Sequence, residues 1–129
     1  MALTVVDASI LIALLDADDN LHAATTAALL EHAEDDLTIP ASAYSEALVR
    51  PAHAGRIAEA RAAVGSLLLA VAPLSEAIAE EAAVLRARHQ GLRLPDALVL
   101  ATGASLHADS ILTGDLRWRD LVPSVEVVG

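Results

Sequence analysis

Residues 3–15 read LTVVDASILIALL. The run Leu3–Val6 is aliphatic and rich in β-branched residues with no polar face, which predicts a short buried strand. Ser9–Leu15 is apolar at helical spacing, which predicts a helix. The one acid in the stretch, Asp7, lies at the corner between them. A carboxylate at the rim of a core is either solvated or part of a site.

The rest of the chain continues this alternation of strand and helix. Further strands are predicted at residues 37–39, 69–71, 110–113 and 125–128. Helices are predicted over 21–33 behind an Asn20 cap, from a Ser42 cap to just before Pro51, over 57–67, over 76–89 behind a Ser75 cap, and from Pro95 to about His107. This order predicts an α/β/α sandwich with a mainly parallel central sheet of four to five strands. We expect residues 1–129 to form a single domain.

Composition and charge exclude several classes of function. The chain has no cysteine, which excludes disulfides, thiolate metal ligands and thiol redox chemistry. It has neither an apolar run of about 20 residues nor the features of a signal peptide, so we expect a cytoplasmic protein without a membrane segment. The formal net charge of −10 argues against a general nucleic-acid binder but suits a metal ion or a basic partner.

Three further acids share the setting of Asp7. Asp115 follows the predicted fourth strand by two residues, Asp96 opens a helix that leads back into the sheet, and Glu46 lies mid-helix among apolar neighbours. Ligands of open α/β sheets bind beyond the carboxyl ends of the strands. We therefore expect Asp7, Asp96 and Asp115 at one edge of the sheet.

Each acid also has an ordinary structural explanation. Asp7 can cap a helix, Asp96 can serve a helix dipole, Asp115 can be a turn residue, and Glu46 can face solvent. These explanations do not account for the convergence of three acids on one edge. Crowded carboxylates repel one another, and a cation relieves that repulsion. Oxygen ligands without cysteine, and without histidine at ligand spacing, favour a hard ion such as Mg²⁺ or Mn²⁺. The five histidines are expected on the surface.

Four short motifs in order resemble the signature of the PIN-domain family, and length and order resemble its VapC-type toxins of bacterial type II toxin–antitoxin pairs. The motifs are Asp7-Ala8-Ser9, Ser45-Glu46-Ala47, Leu94-Pro95-Asp96-Ala97-Leu98 and Leu112-Thr113-Gly114-Asp115. The resemblance covers essentially the whole chain and implies a PIN-like fold. It also implies an endoribonuclease that depends on Mg²⁺ or Mn²⁺.

The resemblance also implies roles and partners. Asp7, Glu46, Asp96 and Asp115 would bind the metal and act in catalysis, with Ser9 and Thr113 as supporting polar residues. A cognate antitoxin would wrap the domain with its C-terminal segment and place an arginine among the carboxylates, and the family commonly forms homodimers. Some members carry a further acid two residues past the last aspartate. This chain has Arg117 there, which puts a second metal site in doubt and leaves Asp120 as a weak substitute.

Several arginines are candidates for binding the phosphates of an RNA substrate. They are Arg86, Arg88, Arg93, Arg117 and Arg119, of which the last two are favoured because they follow Asp115 closely. Trp118, between them, can stack on a base or pack against the last helix.

Two other functions compete with the nuclease. A Mg²⁺-dependent phosphatase or phosphotransferase with a nucleophilic Asp7 would, if of the haloacid-dehalogenase type, usually carry a second aspartate where this chain has Ser9. A catalytically silent PIN-like interaction module is disfavoured because all four acids are present.

Overall fold

The computed structural model describes residues 1–129. The strands are β1 (Leu3–Val6), β2 (Asp36–Pro40), β3 (Ala70–Ala72), β4 (Ser110–Thr113) and β5 (Val125–Val127). The helices are α1 (Ala8–Leu15), α2 (His22–Glu31), α3 (Ala41–His53), α4 (Ile57–Ser66), α5 (Glu76–Arg88) and α6 (Leu94–Ser105), followed by a 3₁₀ turn at Leu116–Trp118. No helix combines the length and the apolar character needed to cross a membrane.

The five strands form one wholly parallel sheet in the order β3-β2-β1-β4-β5. Helices cover both faces: Gly103 of α6 approaches the Ile111 side chain so closely that a Cβ would lie 2.5 Å from it. On the other face, Val6 and Leu37 line a small cavity with Ile10 of α1. The predicted α/β/α sandwich is therefore confirmed.

The chain order reverses between β1 and β4, which are neighbours at the middle of the sheet. From β1 the chain builds outward through β2 to β3, and it then crosses to β4 and β5 on the other side. The amide of Asp7 donates to the Leu112 carbonyl at 2.9 Å, which ties the carboxyl ends of β1 and β4 together. Such a switch point leaves a crevice at the sheet edge where ligands of doubly wound folds bind.

Three predicted helix ends are wrong. Helix α3 begins at Ala41, directly after β2, rather than behind a Ser42 cap, and it continues through Pro51 to His53. Pro51 lies in the last turn of the helix, so only Ala52 and His53 follow it in helical conformation. Asn20 does not cap α2; the Asp19 carboxylate instead accepts from the Leu21 amide at 2.8 Å. The other predicted boundaries agree to within two residues, and the Ser75 cap is confirmed by its hydrogen bond from the Ile78 amide.

His32 is not the surface residue that its sequence context predicts. Its Nδ1 lies 2.7 Å from the Asp35 carboxylate and its Nε2 lies 3.0 Å from that of Glu126. The hydroxyl of Thr4, which is fully buried, donates to the same Asp35 oxygen at 2.8 Å. Burial alone would lower the pKa of His32, but the hydrogen bonds that its ring donates to the Asp35 and Glu126 carboxylates outweigh this effect and raise the pKa. The cluster links the end of α2 to β1 and β5.

This cluster should make stability fall as pH rises above the ordinary histidine pKa of 6.5. The folded protein raises the pKa of His32 above its ordinary value of 6.5, so the stabilisation is complete below that pH and is lost as pH rises through the folded pKa. We expect His32→Gln to flatten this loss in urea unfolding measured across a pH series. The exposed His53 supplies the control, since His53→Gln should keep the wild-type pH dependence. Identical curves for wild type and His32→Gln would contradict the assignment.

Candidate active site

Asp7 is 7% exposed and stands at the crevice between β1 and β4. Its Oδ1 accepts from the Ala8 amide at 2.7 Å, so Asp7 does cap α1. Its Oδ2 accepts from two hydroxyls, Ser9 Oγ and Thr113 Oγ1, each at 2.9 Å. Burial raises the pKa of Asp7, with a smaller contribution from the negative charge of Asp96, and the hydrogen bonds oppose the rise. Asp7 therefore both caps α1 and accepts the hydrogen bonds of a buried polar network.

The two hydroxyls also fix the loop after β4. Ser9 Oγ accepts from the Gly114 amide at 2.9 Å, and Thr113 Oγ1 accepts from the Asp115 amide at 3.1 Å. A Cβ on Gly114 would lie 2.5 Å from Leu21 Cδ1, so a side chain there would require Leu21 to move. Ser9 and Thr113 therefore couple the position of Asp7 to that of Asp115.

Asp96 lies in the first turn of α6 and is 8% exposed. Arg93, the residue before this helix, donates to both of its carboxylate oxygens, Nε to Oδ2 at 3.2 Å and Nη2 to Oδ1 at 3.4 Å. The sequence favours Arg117 and Arg119 over Arg93 as site residues. The three-residue spacing from Arg93 to Asp96 is the signal in the sequence that points to this ion pair.

Asp115 has a guanidinium partner as well. Arg117 donates to its carboxylate from Nε at 3.0 Å and from Nη2 at 2.6 Å, and the Arg117 amide donates to Oδ1 at 2.9 Å. The Arg117 hydrogen bond is the main reason why the pKa of Asp115 lies below its ordinary value. Asp115 is therefore a turn residue that caps the 3₁₀ segment and also half of an ion pair. Arg119, by contrast, is exposed and has no carboxylate partner.

Glu46, on α3, makes no side-chain hydrogen bond and is exposed. Its pKa is nevertheless raised, first by partial burial and then by the charges of Asp7 and Asp96, while Arg93 opposes the rise. Glu46 therefore lies close enough to these aspartates to repel them. The structure brings all four acids into one electrostatic neighbourhood at the carboxyl edge of β1 and β4.

The four acids are not arranged as a ready-made metal cage. No set of three or more histidine, aspartate or glutamate side chains is placed to hold one ion. Asp96 and Asp115 instead direct oxygens to Arg93 and Arg117. We call the part of the sheet edge that carries Asp7, Glu46, Asp96 and Asp115 the acidic pocket. Its donor chemistry fits a hard cation, because its possible ligands are carboxylate and hydroxyl oxygens. Asp7, Glu46 and Asp96 also repel one another.

Removing the Thr113 hydroxyl tests the network around Asp7. We expect Thr113→Val to lower the free energy of unfolding by about 1–3 kcal/mol, because a buried carboxylate loses a donor and the Asp115 amide loses its acceptor. Urea unfolding measures this loss. The matched control is Thr25→Val: Thr25 is also fully buried, but its hydroxyl has no partner, so the same change should be neutral or stabilising. Equal losses in the two variants would contradict a role for the Thr113 hydrogen bonds.

The chain belongs to the PIN-domain family, whose sequence profile matches residues 4–122. Members of this family are nucleases. No curated protein matches the chain significantly.

Solved structures share the fold along nearly the whole chain. A toxin–antitoxin complex from Klebsiella pneumoniae contains a chain that is 25% identical with a TM-score of 0.80, covering 98% of this chain and 97% of that one. Mycobacterium tuberculosis VapC20, a toxin that cleaves the sarcin–ricin loop, is 20% identical with a TM-score of 0.74, covering 98% and 99%. VapBC2 from Rickettsia felis, bound to a fragment of its promoter DNA, gives 13% identity and a TM-score of 0.75, covering 98% and 99%.

Proposed function

We propose that the protein is a Mg²⁺- or Mn²⁺-dependent endoribonuclease of the VapC type and the toxin of a toxin–antitoxin pair. One observation carries the proposal: Asp7 is a buried carboxylate at the switch point of the sheet, held by two hydroxyls and repelled by Asp96. Burial penalises the negative charge of Asp7, so a neutral residue would occupy this position at lower cost. The buried carboxylate of Asp7 in a chain of a nuclease family therefore supports a catalytic role for this residue.

Asp7, Glu46, Asp96 and Asp115 are the residues that would hold the cation. When bound, a divalent ion lowers the pKa of its water and polarises a phosphoryl oxygen. Ser9 and Thr113 keep Asp7 Oδ2 in a fixed direction, so this carboxylate does not have to reorganise during the reaction. Arg117 and Arg119 follow Asp115 closely in sequence and would bind phosphates of the RNA.

The same proposal includes a cognate antitoxin. Complexes with antitoxins have been solved for the similar proteins from Klebsiella pneumoniae and Rickettsia felis. A groove of about 740 Å³ between α1, α3 and α4 has an apolar floor that includes Ile12, Leu15 and Ala60. We place the antitoxin segment in this groove and propose a homodimeric, cytoplasmic toxin.

Mapping of cleavage sites in total RNA tests the nuclease. We expect the purified protein to cut RNA at defined internal positions with Mg²⁺ or Mn²⁺ and to leave RNA intact in EDTA, because the carboxylates need the cation to activate water. Cleavage that persists undiminished in EDTA would contradict metal dependence. The phosphatase alternative is tested in the same buffers with p-nitrophenyl phosphate, which we expect the protein not to hydrolyse.

A further inference from the structure

Two of the four acids are already paired with arginines of the same chain. Arg93 binds Asp96 and Arg117 binds Asp115, each through Nε and Nη2 of one guanidinium group. The arginine of each pair is the exposed partner: 60% of the Arg93 side chain and 71% of the Arg117 side chain are exposed, against 11% and 21% for their aspartates. The guanidinium groups therefore cover the acidic pocket from the solvent side.

The two pairs belong to one cluster. The hydrogen bond to Asp96 and the charge of Asp96 raise the pKa of Arg93, and the positive charge of Arg117 opposes this rise. The charge of Arg93 also adds to the larger effect of Arg117 in lowering the pKa of Asp115. Arg93 and Arg117 thus lie near one another although their positive charges repel. The negative charges of Asp96 and Asp115, with which they are paired, offset this repulsion. Their positive charge also offsets part of the acidity of the pocket that a nucleic acid would have to approach.

A guanidinium group and a divalent cation compete for the same carboxylate oxygens. Exchange between them is easy here, because an ion pair with an exposed partner contributes little to stability. The planar fork of arginine also fits a phosphate, which it binds through two parallel hydrogen bonds. An arginine released from Asp96 or Asp115 would lie at the rim of the pocket, where the RNA backbone must pass.

We propose that Arg93 and Arg117 are exchangeable counter-ions of the acidic pocket, which hold Asp96 and Asp115 until a divalent cation takes these carboxylates and then bind phosphates of the RNA. This inference rests on the proposed nuclease function and deepens it. It assigns Arg93 to the substrate site. It also explains how a pocket without a preformed metal cage acquires one: the side chains of Asp96 and Asp115 turn inward as the arginines leave.

Direct binding of Mn²⁺ in the absence of RNA is the first test. Titrations followed by electron paramagnetic resonance would compare the full-length wild type with Arg93→Gln, Arg117→Gln and the double variant. We expect each single change to tighten Mn²⁺ binding by roughly two- to fivefold, in line with the loss of one competing ion pair. Arg93→Lys keeps the positive charge but loses the bidentate contact with Asp96. Its Mn²⁺ affinity should therefore lie between those of wild type and Arg93→Gln.

Arg119→Gln is the matched control for this titration. It removes an arginine close to the pocket that has no carboxylate partner, so its Mn²⁺ affinity should stay near the wild-type value. If Arg93→Gln and Arg117→Gln bind Mn²⁺ no more tightly than Arg119→Gln, the exchange does not occur. Circular dichroism confirms that the variants, all changed at exposed side chains, remain folded.

RNA binding is the second test. Affinity for a labelled single-stranded RNA is measured against salt concentration, once in EDTA and once with Ca²⁺, with gels to confirm intact RNA. With Ca²⁺ we expect the slope of log affinity against log salt to fall by about 0.7 for each arginine removed. In EDTA we expect the variants to show the same slope as wild type. A wild-type slope for Arg93→Gln and Arg117→Gln in Ca²⁺ would overturn the proposal.

The proposed nuclease function is judged separately by RNA cleavage with the wild-type protein. Wild type that cleaves RNA, together with arginine variants of unchanged Mn²⁺ affinity, overturns the exchange but leaves the nuclease intact. A wild type that binds no Mn²⁺ and cleaves no RNA overturns both.

Discussion

Asp7→Asn should abolish RNA cleavage while leaving the protein folded. Asparagine keeps an acceptor for the Ala8 amide but removes the negative charge that Ser9 and Thr113 direct towards the pocket. We expect the cleavage rate to fall by at least about a hundredfold, because changing even an outer-shell partner of a metal ligand typically costs about 10–100-fold. Time courses on the mapped RNA sites measure the loss, and unchanged cleavage would rule out the metal-nuclease function.

The stability of Asp7→Asn should not fall along with its cleavage activity. Burial raises the pKa of Asp7 in the folded protein, so burial penalises its charged form and stability increases as pH falls through the folded pKa. A permanently neutral asparagine removes that penalty, but the Ser9 and Thr113 hydroxyls lose the charged acceptor to which they donate. Because these two effects oppose each other, we expect Asp7→Asn to unfold at a urea concentration close to that of wild type and to keep its binding to the antitoxin.

Asp18→Asn is the control for charge alone. Asp18 is exposed and lies outside the four-acid site, so the same substitution should leave both cleavage and stability at wild-type values. If Asp7→Asn lost activity only because it unfolded, its urea midpoint would fall, and the catalytic assignment would lose its support.

The edge of the sheet at which the acids gather could be predicted from local sequence. Leu3–Val6 and Ser110–Thr113 are the two strands that sequence analysis places correctly to the residue. Parallel strands end at a common edge, so Asp7 and Asp115 follow from the strand ends without any knowledge of contacts. The long-range hydrogen bond from Thr113 to Asp7 depends on the neighbouring positions of β1 and β4 in the sheet. Only the family resemblance pointed to Thr113.

The features that sequence reasoning missed depend on side-chain direction. The pairing of Arg93 with Asp96 requires both side chains to lie on the same side of the start of α6, which spacing permits but does not impose. His32 looks like a solvent-facing residue in its own helix, because its partner Glu126 lies 94 residues away on the last strand. The passage of α3 through Pro51 reflects tertiary context that overrides a local rule.

Replacing Trp118 should have the largest effect on stability. Its side chain is 1% exposed and belongs to the main core, although the adjacent Leu116 and Arg117 are exposed. We expect Trp118→Ala to lower the free energy of unfolding by about 3–5 kcal/mol, a large part of the total for a small protein. Unfolding in urea is followed by circular dichroism, because Trp118 is the only tryptophan. Leu116→Ala, in the same turn but 67% exposed, should lose little.

The same substitutions separate packing from base stacking. An indole at 1% exposure offers no face to a base, so Trp118→Phe should bind RNA as wild type does, with a smaller loss of stability than Trp118→Ala. Because Trp118 anchors the 3₁₀ turn that carries Arg117, Trp118→Ala should weaken RNA binding only through loss of folded protein and loosening of this turn. A folded Trp118→Ala with wild-type stability but weakened RNA binding would instead show that the indole contacts the substrate. The core therefore acts on the site by fixing the turn between Asp115 and Arg119, where a buried aromatic ring holds a charged rim in place.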